Sequence, residues 1–209
     1  MKIKGSGTYT DASGRSHSVF GAGEVSDGEN LKSLKVSGDL SFEKISCDKI
    51  SISGKCEGGT VSAQSLKISG ACEADSVSAK NLSVSGKIEV DSLTIEQTLE
   101  ISGKPQIDSV KADEIVIATR NGFIGEVECR RIKIFDESEQ FNGVKFVQRF
   151  SRVQIKNIDA QTVQVENCAV DVIRCKDAFI GSNCAIEKLF VAGKCEVAAD
   201  STVGETIRT

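Results

Sequence analysis

The acidic residues with the most regular spacing are Glu57, Glu73 and Glu89, which recur every sixteen residues. A column of three carboxylates has oxygen ligands that suit a cation. Three lysines flank the column: Lys55, Lys87 and Lys104. Repulsion between neighbouring charges about 5 Å apart amounts to only about 1 kcal/mol in water. The spacing therefore predicts a solvated, charge-balanced face rather than a metal site.

Eight cysteines raise the question of zinc or disulfides: Cys47, Cys56, Cys72, Cys129, Cys168, Cys175, Cys184 and Cys195. No two of them have the Cys-x2-Cys spacing of a zinc site. Cys56 and Cys72 are sixteen residues apart, as are Cys168 and Cys184. We expect buried free thiols that behave as small apolar side chains, and we predict neither a metal nor a cofactor.

Residues for acid–base catalysis are scarce. His17 is the only histidine, so a Ser-His-Asp triad or a multi-histidine metal site has no partners to use, and we expect its side chain to be exposed. Acidic residues and arginines concentrate in one stretch: Asp136, Glu137, Glu139, Arg149 and Arg152. A carbohydrate-active enzyme could work with such groups. Elsewhere the apolar pattern leaves room only for short connections without a cleft, so the sequence predicts a non-enzymatic protein.

The elements that must position these residues follow from apolar pairs two positions apart, which recur every 16 or 17 residues. The pairs of one column are Leu34/Val36, Ile50/Ile52, Leu66/Ile68, Leu82/Val84, Leu99/Ile101, Ile115/Ile117 and Ile132/Ile134. Two further columns lie between them, one through Cys56 and one through Val61. We call the faces that carry these columns the first face (Leu34/Val36 and its repeats), the second face (through Cys56) and the third face (through Val61). A period of two is that of a β-strand, and three strands per repeat predict a three-sided parallel β-helix.

The pairs step by 6, 5 and 5 residues, whereas a left-handed hexapeptide helix steps by 6 throughout. We therefore predict an all-β, single-stranded, right-handed helix of about eleven coils, on the order of 50 Å long. Ser-Gly marks one corner of successive coils, at 53/54, 69/70 and 85/86. We expect these glycines to supply a positive φ and the serines to bond the turning backbone.

The domain boundaries follow from where the 16- to 17-residue spacing of the apolar pairs begins and continues. Residues 1–17 are predicted as a short polar segment, and 18–209 as a single β-helix domain. From Ile132 to Val163 is 31 residues, which equals two coils. One irregular coil is therefore expected at 135–152, with its four phenylalanines repairing the core.

A β-helix exposes a strand edge and its apolar core at each end unless a cap covers them. The sequence has no clear amphipathic cap. Stacking on a second rod would satisfy both ends, so we predict self-association through the terminal coils. The predicted interface residues are Val19, Phe20, Val25, Val197, Val203 and Ile207.

The net charge of −4 and the pI near 5.2 argue against a nucleic-acid partner, because such proteins usually carry a basic face. The first residues lack the apolar region of a signal peptide, and no stretch of roughly 18 apolar residues is present. We therefore expect a cytoplasmic chain, and the sequence leaves membrane association open.

The coils that contain "SLKVSGDL", "SLKISG" and "NLSVSGK" resemble those of the bactofilins, and more closely the polymer-forming cytoskeletal proteins of Gram-positive bacteria. The resemblance is strongest from Leu34 to Ile117. It implies a nucleotide-free scaffold that polymerises through its terminal coils at the inner face of the cell membrane, with cell-envelope or morphogenesis proteins as partners. It supplies no catalytic residues. Two alternatives stay open: a β-helical adhesin or binding rod, and the carbohydrate-active enzyme.

Overall fold

The computed structural model describes residues 2–24, 31–119, 121–135 and 152–209, without the side chains of 19–24. It contains thirteen strands within these ranges and no helix. The strands are β1 (Lys2–Thr10), β2 (Ser16–Glu24), β3 (Leu31–Ile52), β4 (Lys55–Ile68), β5 (Ala71–Val84), β6 (Lys87–Ile101), β7 (Lys104–Ala118), β8 (Gly122–Phe135), β9 (Val153–Val165), β10 (Cys168–Ile180), β11 (Ala185–Val191), β12 (Cys195–Val197) and β13 (Thr202–Arg208).

From β4 to β10 each strand is a whole coil that bends at its corners and pairs in parallel with the next coil. β3 is longer than one coil, and its residues from Asp39 to Ile52 pair with β4. One inward position on the second face forms a continuous ladder of ten residues: Phe42, Gly58, Ala74, Val90, Ile107, Ile124, Ile155, Val170, Ile186 and Val203. The structure is a parallel β-helix of ten turns, consistent with the right-handed, three-sided helix that the sequence predicts.

Alternation of apolar and polar residues positions the core. In β5 the buried side chains come in pairs two apart, such as Cys72 with Ala74 and Leu82 with Val84, and the residues between them face outward. Each fully buried aliphatic side chain contributes roughly 1.5–3 kcal/mol, so the repeated pairs drive the stacking. Among the described residues no polar or charged side chain is buried.

The Ser-Gly corners differ from their expected geometry. Of the glycines that follow serine at this corner, only Gly38 has a positive φ, 132°. A Cβ built on Gly54, Gly70 or Gly86 would instead overlap the carbonyl oxygen of the glycine one coil below. The backbone N–H of each corner serine donates to the preceding coil at 2.8–2.9 Å. Close approach of stacked backbones, rather than a left-handed turn, therefore requires glycine here.

Residues 136–151, most of the predicted irregular coil, lie outside the described residues. The strands on either side differ from the prediction, because β8 pairs directly with β9: Ile124 opposes Ile155, and Ile132 opposes Val163. No coil separates these two strands, so the 31-residue step is one turn plus an insertion. The rod consequently has ten turns rather than eleven.

Residues 2–24 form an antiparallel hairpin, although 1–17 were expected as a polar segment and the rest as part of the β-helix. β1 pairs with β2 on one side and with residues 33–41 of β3 on the other. Ile3 is buried opposite Leu40, and Gly5 lies opposite Gly38, which continues the glycine column. Hairpin alternation in "KIKGSGTYT" is weak because glycines occupy the core-facing side, which explains why the sequence pattern did not reveal it.

Candidate assembly surface

The C-terminal end of the rod is a step. β13 covers β11 on the second and third faces, but β12 pairs only with β10, at Ala178–Ile180. Val197 occupies the inward ladder of Val165 and Ile180, which are 0% and 2% exposed, yet 44% of Val197 is exposed. The first face of the last coil therefore presents an uncovered apolar position and an unpaired strand edge.

The final strand is more polar than the coils beneath it. Thr206 and Arg208 stand where the coil below has Leu189 and Val191. Val203 is half-buried against the core. The polar residues moderate the exposure of the core on the third face, so the uncovered apolar surface concentrates on Val197 and Val203.

The structure places the predicted interface residues unequally. Val197 and Val203 lie on inward ladders of the last coil, whereas Ile207 lies on an outward position opposite Phe190. Val19 and Phe20 belong to β2, and only the backbone of these two residues is described. Val25 lies outside the described residues. Cys195, half-buried on the same face as Val197, was missed in the prediction, although its place two residues before Val197 in the doublet pattern could have indicated it.

At the N-terminal end the hairpin lies over the first coil, and β2 forms the last strand of the sheet order. The turn between β1 and β2 is organised by Asp11. Its carboxylate accepts hydrogen bonds from Ser13 Oγ at 2.6 Å and from Arg15 N at 3.0 Å, and Oδ2 lies 3.0 Å from Nε2 of His17. These contacts, with Ser13 the largest, hold the pKa of Asp11 well below its usual range. The His17 ring stacks on Tyr9 with centroids 4.7 Å apart.

The glutamate column is charge-balanced, as the sequence predicts. Lys55 Nζ lies 2.7 Å from Glu57 Oε2, and Lys87 Nζ lies 2.6 Å from Glu89 Oε2. The hydrogen bond and charge of Lys55 lower the pKa of Glu57, and the same contacts raise the pKa of Lys55. All these side chains are exposed, so solvent screens the pairs and each adds little stability.

All eight cysteines are free, as the sequence predicts, and five are buried. Burial raises the pKa of Cys47 to about 11 and that of Cys129 to about 12. Cys168 and Cys184 lie on adjacent rungs with their Sγ atoms 3.6 Å apart. Cys56 and Cys72 oppose each other in the same inward column farther down the rod. The raised pKa makes Cys47 and Cys129 poor nucleophiles, as expected of thiols packed into the core.

The candidate catalytic stretch is only partly visible. Asp136, Glu137, Glu139 and Arg149 lie outside the described residues. Arg152, the described member, donates from its guanidinium to Oδ1 of Asn183 at a corner. Asn183 in turn donates to Asn167 at 2.8 Å. Both asparagines have positive φ, 52° for Asn167 and 58° for Asn183, so Arg152 supports an asparagine corner.

A shallow groove of about 330 Å³ runs along the third face near the hairpin turn. Small polar and alanine side chains form its floor, among them Ser62, Ala63 and Ser78, with Lys80 and Glu96 along its length. Within the described ranges no group of three or more His, Cys, Asp or Glu side chains could hold a metal ion. Those ranges also contain no helix long and apolar enough to cross a membrane.

Comparison with protein-family models, with curated proteins and with solved structures finds no match to this chain.

Proposed function

We propose that this chain is a non-enzymatic scaffold whose rods associate end to end into a homopolymer of the bactofilin kind. The observation that carries the proposal is the step at the C-terminal end, where Val197 is 44% exposed on a ladder that is otherwise closed. A second copy of the rod suits this surface because it can supply both an apolar contact and a matching row of backbone hydrogen bonds.

The two ends contribute differently. At the C-terminal end the contact is apolar and includes the exposed Val197 and the half-buried Val203. At the N-terminal end the hairpin lies over the core, so contact there uses the outer edge of β2 rather than an open coil. An antiparallel edge strand pairs through its backbone and needs little specific side-chain chemistry.

The regular body of the rod supports a structural role. Coils from β4 to β7 repeat with steps of 16 or 17 residues, and their corners are short. Proteins of this kind display a uniform surface over a long distance, which suits a scaffold. A cytoplasmic location at the inner face of the cell membrane, and partners among envelope or morphogenesis proteins, belong to the same proposal and rest on the resemblance alone.

The test compares the 209-residue chain with Val197→Asp. We expect the parent protein to sediment as large assemblies and to form filaments in negative-stain electron microscopy. Val197→Asp should shift it to small species, because an aspartate in the contact must be desolvated. The matched control is Val116→Asp, the same change on an outward position of the same face in mid-rod.

Circular dichroism must show unchanged β-structure in both variants. A parent chain that stays monomeric across concentration and salt would refute the proposed polymer. Filaments that survive Val197→Asp but are lost with Val116→Asp would move the contact from the end to the side of the rod.

A further inference from the structure

The cysteines are not scattered evenly through the core. Four of the eight occupy a single inward column on the second face, as two stacked pairs: Cys56 with Cys72, and Cys168 with Cys184. The rungs between the pairs carry other residues in that column: Ile88, Pro105, Gly122 and Val153. The inward column therefore accepts aliphatic side chains, so packing alone does not require two stacked cysteines there.

The upper pair has the geometry of a dithiol. Ala169 pairs with Ala185, so the preceding residues Cys168 and Cys184 are neighbours on adjacent parallel strands. Such strands lie about 4.8 Å apart, within the range of Cα separations of about 4.4–6.8 Å that a disulfide spans. The Sγ atoms are 3.6 Å apart and in hydrogen-bond contact, so the two sulfurs already face each other.

The surroundings of the upper pair distinguish it from the lower one. The hydrogen bond from Cys168 lowers the pKa of Cys184, and the Ser201 hydroxyl and the Arg152 guanidinium act in the same direction. In the lower pair, the neighbouring thiol and burial raise the pKa of Cys56. Within the upper pair the hydrogen bond to Cys184 and burial raise the pKa of Cys168, so Cys184 is the thiol of this pair that ionises more readily.

The two cysteine pairs also differ in how readily a reagent can reach them. Cys168 and Cys184 are 0% and 2% exposed, so a reagent reaches them only when a neighbouring strand opens. Above them lie only the three-residue β12 and the seven-residue β13, whereas Cys56 and Cys72 have complete coils on both sides. Terminal elements with few partners open locally at a small fraction of the global unfolding free energy.

We propose that Cys168 and Cys184 form a redox site, oxidised by peroxide to a disulfide that joins the last two full coils. The Cys184 thiolate attacks one peroxide oxygen, the O–O bond breaks, and the departing oxygen is protonated to water. The Cys168 sulfur then attacks the resulting sulfenic acid, the S–S bond forms, and the second oxygen leaves as water. Two thiols lose two protons and two electrons, and one hydrogen peroxide becomes two waters.

The disulfide closes a 16-residue loop and restrains the coil next to the C-terminal step. A cross-link of this length raises the melting temperature of a protein of this size by roughly 5–10 °C. The inference is independent of the proposed polymer, since it concerns bonding within one chain.

The experiment treats reduced full-length protein with hydrogen peroxide, then denatures it and labels the remaining thiols with N-ethylmaleimide. Intact mass should show six labels where the reduced protein shows eight, one for each cysteine. Peptide mapping should recover Cys168 linked to Cys184. The melting temperature should rise after oxidation and return after reduction.

Three variants complete the design, each removing one cysteine of one pair. Valine is the substitute because Val153 already occupies the same column. Cys168→Val keeps the attacking thiolate but not its partner, so after peroxide it should lose at most one label, as an oxidised Cys184, and keep its melting temperature. Cys184→Val lacks the attacking thiolate and should keep seven labels, whereas Cys72→Val should fall from seven to five. Circular dichroism verifies that each variant folds.

The proposal is overturned if the parent protein keeps all eight labels under conditions that oxidise a model peptide thiol. It is equally overturned if the recovered disulfide joins other cysteines, or if Cys168→Val still loses two labels.

Discussion

At the scale of single residues, the glycine column shows how a repeat is constrained by contacts between coils rather than by local conformation. Gly54, Gly70 and Gly86 need no positive φ, yet a Cβ on any of them would overlap the backbone of the coil below. The N–H of Lys87 donates to Gly70 O at 3.0 Å across the same corner. Glycine is therefore fixed by the packing distance. The corner serines bond the coil below through their backbone N–H, and the hydroxyls of Ser53 and Ser102 also donate to Val36 O and Val84 O at 3.3 and 3.4 Å, as the sequence predicts.

Gly70→Ala should destabilise the rod by about 3 kcal/mol, since the new methyl group must push two backbones apart. Gly70→Asn distinguishes the two explanations, because asparagine tolerates a left-handed turn but not a close approach. We expect it to cost at least as much as alanine. Chemical denaturation provides the measurement, and Ser69→Ala, at the adjacent exposed position, is the control with a change within about 0.5 kcal/mol. An asparagine variant as stable as the parent would restore the turn explanation.

A pH dependence is expected at the hairpin turn. The hydrogen bonds from Ser13, His17 and Arg15 lower the pKa of Asp11 far below its ordinary value of 3.8. A depressed pKa in the folded state means that its stabilisation is present above pH 3.8 and is lost only as pH falls through the lower folded value. In an NMR titration the Asp11 carboxyl should remain ionised at pH 3. A midpoint near 3.8 would mean that these hydrogen bonds do not persist in solution.

At the scale of elements, the hairpin and the coils differ in how they pair: the hairpin pairs antiparallel, whereas the coils stack in parallel. β1 runs antiparallel to β3 across a corner, which is sterically allowed because Gly5 and Gly38 meet there, with positive φ at both. A Cβ on Gly5 would lie 2.7 Å from Ser37 O. The hairpin should therefore detach separately from the coils, as terminal units of solenoids do.

Gly5→Val should displace the hairpin without unfolding the rod. We expect faster amide hydrogen exchange in β1, β2 and residues 33–41, and unchanged protection from β5 to β10. Thr8→Val, on an exposed position of the same strand, is the control. Uniform loss of protection along the whole chain would show that the hairpin and the coils fold as one cooperative unit.

At the scale of the whole molecule, residues 136–151 show that the length of the sequence repeat does not by itself decide which strands are neighbours. Thirty-one residues fit two coils of the prevailing length, but they fit one coil plus a sixteen-residue insertion equally well, and the pairing of β8 with β9 selects the second. Phe135 and Arg152 occupy the places that Glu166 and Asn167, which are consecutive in the chain, occupy one rung above.

Deleting residues 136–151 should therefore leave an intact rod. The step from Gly122 to Val153 becomes 31 − 16 = 15 residues, which equals the step from Val153 to Cys168. We expect the same circular-dichroism spectrum and a cooperative melt, because the new Phe135–Arg152 bond makes the same direct connection that Glu166 and Asn167 make one rung above. Arg152→Asn in the deletion variant should help further, since Asn167 adopts a positive φ at the equivalent corner. A deletion variant that fails to fold in both backgrounds would mean that the segment contributes to the core.

The sequence by itself determined the parallel β-helix, its three faces, its inward ladders and the burial of free thiols, because each follows from a local period of two repeated at nearly constant length. It did not determine the hairpin, whose core-facing positions include glycines, nor the place of residues 136–151, since a repeat fixes phase but not which strands are neighbours. The reason for the Ser-Gly corner was also decided only by the tertiary structure. Distances between coils, such as the 3.6 Å between the sulfurs of Cys168 and Cys184, arise from stacking rather than from any single stretch of sequence.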